Sequence, residues 1–236
     1  MKKIEARELT AKHLLPLIKK YGYVEKKSRS SDFSFYRVTE NGMDIISGGM
    51  VDYNPNQQIV YGVGKTNSKV VDILLKHQLN LEAAGISCNG MIKKDYSTFG
   101  PGKSFVPNGG FRNMLTEEDV KKCVNLMVFT LEEDAFPVLD EYEDLRKVDQ
   151  VVNGNEPWAD DISKPFSLGA TFYLTRLITA KLCGNPNYDH LVDFTYKVFE
   201  KSIEKDSGIP YIHDRTDMTK SLPALVKILD GVQSIY

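Results

Sequence analysis

The chain reads as an α+β protein, with a mainly antiparallel N-terminal sheet carrying one or two helices over residues 1–112, and an all-helical half of four to five helices over residues 113–236. Three observations lead there. Apolar alternation and a hairpin turn dominate residues 33–64, apolar residues recur at helical spacing from Thr116 onward, and a Gly- and Pro-rich stretch at residues 98–115 separates the two regions. Strand order is not carried by such patterns, so the halves are compatible with two domains or with one cooperative unit.

In chain order, Leu9, Leu14, Leu17 and Ile18 lie near helical spacing, Pro16 would weaken or bend that helix, and Gly22 is placed to end it. DFSFYRV, then Asn41-Gly42, then MDIISGGMVDY predict two strands joined by a hairpin, because Asn-Gly tolerates the positive φ of tight turns. QQIVYGVG supplies a third strand. Phe33 and Phe35 project to one face and Tyr36 and Val38 to the other, which predicts a sheet covered on at least part of both sides. Val70, Ile73, Leu74, His77 and Leu81 mark a following helix, and ISCNGMI a return strand.

Thr116 with Asp119 three residues on resembles a capping box, and Val120, Val124, Met127 and Leu131 continue one apolar stripe. Pro137 is expected to interrupt that helix and restart one carrying Leu139, Tyr142, Leu145 and Val148. Further stripes begin at Pro165 and Leu191, the first closed by Gly184, and LPALVKILDGV forms the last helix.

Composition removes several functions. Thirty basic against thirty-two acidic residues leave a net charge of -2, without the basic surplus that binding a phosphate backbone draws on, so nucleic acid is not an expected partner. Cys88, Cys123 and Cys183 form no Cys-x-x-Cys pair and read as reduced, which points to the cytoplasm, and Cys123 and Cys183 read as packing residues. No stretch approaches the ~18 apolar residues of a membrane span.

The letters GKS at Gly102-Lys103-Ser104 suggest a phosphate loop, but Ser97 stands where its first glycine belongs and a proline follows where a helix must begin. GVGK at Gly62 to Lys65 lacks the third glycine of a dinucleotide fingerprint, because Asn67 holds that place; a strand-to-helix turn capped by Thr66 or Asn67 is the better reading. No Gly-x-Ser-x-Gly elbow occurs, and the four histidines have no metal-ligand spacing. Neither a cofactor nor a metal is expected. Trp158 reads as a loop anchor.

Two stretches, LLPLIKKYGYVEKK leading into FSFYRV and a hairpin, and the proline-broken LEEDAFPVLDEYEDLRKV, give the chain its one family likeness. In this order of features it resembles a bacterial α+β family of unknown function, the domain-of-unknown-function 4304 type. The resemblance implies a protein similar in size and architecture to immunity and adaptor proteins, with no defined catalytic set to carry over.

Two functions follow. The first is a non-enzymatic, immunity-like interaction module that binds a toxin or another protein partner through Asp140, Glu143 and Asp144, which helical spacing places on one face. The alternative is an enzyme or small-ligand binder with a site at the junction of the halves, built from Lys103, Arg112, His213 and Arg215.

Overall fold

The computed structural model describes residues 2–25, 33–53, 56–76, 92–96, 116–154, 172–203 and 215–236. The architecture is α+β. The chain forms two compact units that interleave in sequence: Met1–Lys65 with Ile92–Glu141, and Thr66–Met91 with Tyr142–Tyr236. This division differs from a single cut near residue 112, because the helix that follows that cut packs on the first helix of the chain.

In the first unit, α1 (Lys3–Ile18) buries Ala6, Thr10, Leu14 and Ile18, a strict four-residue spacing. Leu17, expected on that face, is exposed instead. Thr10 sits on the core face without an unsatisfied hydroxyl, because its Oγ1 donates to the Ala6 carbonyl at 2.8 Å. A 3-10 turn, Lys19–Tyr21, ends at Gly22, whose φ of 85° favours a residue without Cβ.

Strands β1 (Val24–Glu25), β2 (Phe33–Val38), β3 (Gly42–Tyr53), β4 (Asn56–Asn67) and β5 (Ile92–Tyr96) make one five-stranded sheet among the described residues, each strand beside its neighbour in sequence. β2 and β3 are antiparallel, with Val38 opposite Met43 and Arg37 opposite Asp44. The Thr39 N–H bonds the Gly42 carbonyl at 3.0 Å, so the hairpin turns at Glu40-Asn41 and not at Asn41-Gly42. Gly42 belongs to the strand and has no positive φ.

Gly62 and Gly64 close the expected third strand and lie inside β4 opposite Asp95 and Lys93, and β4 runs on to Asn67. The cap is Asn67, whose Oδ1 accepts from the Lys69 N–H at 3.1 Å at the start of α2 (Ser68–Lys76). The expected helix reached His77 and Leu81, and those residues, like the ISCNG of the return strand, lie outside the described ones.

α3 (Glu117–Thr130) starts at the expected capping box, with Asp119 N–H donating to Thr116 Oγ1 and Thr116 N–H to Asp119 Oδ2. Pro137 does not interrupt the helix as expected. α3 widens into a π segment, Leu131–Ala135, and continues as α4 (Phe136–Glu141), with Phe136 N–H bonding the Leu131 carbonyl. Proline offers no N–H to the carbonyl four residues back and crowds it, and a wider turn relieves that crowding. Leu14, Ile18, Phe35, Ile46, Val124, Leu131 and Leu139 are wholly buried between helices and sheet, each contributing ~1.5–3 kcal/mol.

In the second unit, α2 together with α5 (Leu145–Asn153), α7 (Tyr188–Ile203) and α8 (Arg215–Leu229) packs around α6 (Phe172–Cys183), whose residues 174–180 are buried on every side. Gly184, φ 65°, closes α6 as expected, and the Asn185 N–H reaches back to the Ala180 carbonyl at 2.9 Å. The expected helix start at Pro165 lies outside the described residues.

Candidate functional site

Among the described residues of the first unit, charged side chains form a row across the sheet. Arg37 donates to Asp44 Oδ2 through Nε at 2.9 Å and through Nη2, and Nη2 also donates to Asp140 Oδ1 of α4 at 2.7 Å. Lys65 Nζ lies 2.7 Å from Asp44 Oδ1, an ionic contact without hydrogen-bond alignment. Asp44 is fully buried and Lys65 nearly so. Burial is the largest single influence and opposes the Arg37 charge, but the hydrogen bonds to Asp44 and Asp140 and the attraction of Asp44 and Tyr23 together outweigh it and hold the guanidinium above its ordinary pKa. Breaking such a buried pair costs ~3–5 kcal/mol because it strands a charge.

Beside the row runs an acidic ridge. Through the π segment and α4, Leu131, Ala135, Phe136 and Leu139 face inward, while Glu133, Pro137, Asp140 and Glu141 are exposed. That i, i+4, i+7, i+8 pattern makes one outer face. Glu132 is compensated: the Tyr21 hydroxyl donates to it at 2.6 Å and Lys20 Nζ lies 2.9 Å away, which together hold its carboxyl below the usual range. Asp140 is paired with Arg37. Glu133 and Glu141 have no ion pair or hydrogen bond among the described residues.

Asp140, Glu143 and Asp144 therefore do not share a helix face. Asp140 is in α4, Glu143 is in the turn that follows, and Asp144 caps α5 in the second unit by accepting from the Arg146 N–H at 2.9 Å. The helix breaks there because the Asp144 side chain takes the place of a backbone acceptor. The Arg146 guanidinium, 2.7 Å from Asp144 Oδ2, holds that carboxyl down to about 2.

The second unit has a buried network of its own. Asp149 accepts from Asn153 Nδ2 and Asn185 Nδ2, both at 2.7 Å, and Arg176 Nε donates to Asn153 Oδ1 at 2.9 Å. Burial raises the Asp149 pKa and lowers that of Arg176 to about 10. Burial also pushes the Cys123 and Cys183 thiols up to about 12, as expected of packing residues.

Arg215 opens α8, and Lys103, Arg112 and His213, like Cys88 and Trp158, lie outside the described residues. Among the described residues, no group of three or more His, Cys, Asp or Glu is arranged to hold a metal, and no helix is long and apolar enough to cross a membrane. Sequence reasoning missed Arg37, Asp44 and Lys65. The available signal was an arginine and an aspartate seven residues apart about a tight turn, which the correct register sets opposite each other. The chain matches no family model, no curated protein and no solved structure.

Proposed function

We propose that this protein is a non-enzymatic, immunity-like interaction module that binds a basic surface of a protein partner, such as a toxin, through the acidic ridge of its first unit. One observation carries the reading. Every charged side chain on the ridge's outer face is acidic, and Glu133 and Glu141 lack counter-ions among the described residues while their neighbours Glu132 and Asp140 are compensated. Unpaired exposed charges of one sign add little to stability, but they attract an oppositely charged partner and orient its approach.

The ridge is also anchored. It rests on the buried Leu131, Phe136 and Leu139, and Arg37 ties its far end to the sheet. A fixed charge pattern loses less entropy on binding than one on mobile loops. Glu133 and Glu141, rather than Glu143 and Asp144, are then the residues that meet the partner.

Affinity capture tests the reading. With wild-type protein and an E133K/E141K variant as baits in extract of the source cells, a partner retained by the wild type should be lost or strongly reduced on the variant. Equal recovery of the same partner by both baits contradicts the assignment of the ridge.

A further inference from the structure

Tyr23 is fully buried, yet its hydroxyl has no hydrogen-bond partner among the described residues. Its ring stacks on Phe136 at 5.5 Å, and the Arg37 guanidinium carbon lies 5.4 Å from the ring centre. The phenol is near enough to Asp44, Arg37 and Asp140 for all three charges to act on it. One step beyond the Val24 to Tyr36 pairing, the register of β1 and β2 sets Tyr23 beside Arg37. Thr39, two residues past Arg37 and so on the same sheet face, also has a buried hydroxyl oxygen without a partner among the described residues. A buried hydroxyl left unsatisfied is destabilising, and strand register and spacing set two of them near one arginine.

Arg37 is held unequally. Asp44, fully buried, takes two of its hydrogen bonds, whereas Asp140 takes one and is 66% exposed. Asp140 is thus the replaceable acceptor. We propose that Tyr23, Arg37 and Thr39 form a binding site for a small carboxylate, whose oxygens accept from the Arg37 fork and the two hydroxyls, and whose place at Arg37 is taken by Asp140 when the site is free. A planar, singly charged anion suits the guanidinium fork, and the immovable Asp44 disfavours a dianion such as phosphate. The site is independent of the acidic ridge as a docking surface, because the ridge variants at Glu133 and Glu141 leave Asp140 and Arg37 intact.

The test is an acetate titration of the full chain, with sodium chloride at matched ionic strength as control, following the Arg37 Nε–Hε resonance. A saturable shift in the millimolar range is expected. D140A removes the internal competitor, equivalent to one charge-assisted hydrogen bond, and should tighten binding about tenfold. Y23F should weaken binding several-fold while leaving the acetate-free protein as stable as wild type or more so, a combination that a purely structural tyrosine would not give. The proposal is overturned if acetate gives no saturable shift, if D140A and Y23F bind acetate as wild type does, or if inorganic phosphate binds more tightly than acetate.

Discussion

Asp149 shows how much a single buried group can hold. Both of its oxygens accept from amide nitrogens, Asn153 Nδ2 and Asn185 Nδ2, so the site is matched to a carboxylate. Asn in its place has one acceptor and would set an NH2 against one of those donors. D149N should therefore destabilise the protein by ~1–3 kcal/mol in urea unfolding, and an unchanged midpoint would contradict the network. Asp144 makes a different prediction, about pH. The unfolded chain takes up its proton near 3.8, whereas the folded chain, with Arg146 on the carboxylate, does so only at about 2. Its contribution is present above pH 3.8 and is lost as pH falls through that window. D144N keeps an N-cap, since Asn caps as well as Asp, but should flatten the acid limb of the stability profile there. At this scale the sequence was only partly legible. Asn41-Gly42 is a strong turn signal, yet centring the turn on it shifts the register and sets Arg37 opposite Ile46; the observed turn at Glu40-Asn41 sets it opposite Asp44.

Among the elements, α3 was the most legible, because its signals are local. A side chain and a backbone N–H three residues apart define the box at Thr116 and Asp119 whatever packs around them. T116A should cost about 1 kcal/mol, measured by denaturant unfolding and by faster amide exchange in the first turn of α3. The ridge that follows was misread because Pro137 is a breaker in isolation. Here the π segment accommodates it, and the buried Leu131, Ala135, Phe136 and Leu139 keep the helix running to Glu141. The break then comes at residues 142–144, where Asp144 starts a new helix. That displacement moved two of the three expected acidic residues off the ridge and left Glu133 and Glu141 as its charges without a counter-ion among the described residues.

At the scale of the whole molecule, the α+β class was legible, because strand alternation and helical periodicity differ along the chain. The interleaved division into units was not, since it depends on α3 returning to pack on α1 and on β5 pairing with β4, contacts distant in sequence. The charged row shares this origin, as it draws on β2, β3, β4 and α4 together. The central functional claim is that the ridge attracts a basic protein surface. The most direct test is the association rate with the captured partner at low and at high salt, for wild type and for E133K/E141K. The ridge reading predicts a wild-type rate that falls steeply with salt, and a variant rate lower by about tenfold at low salt that converges on it at high salt. Equal rates with equal salt dependence for the two proteins would contradict it.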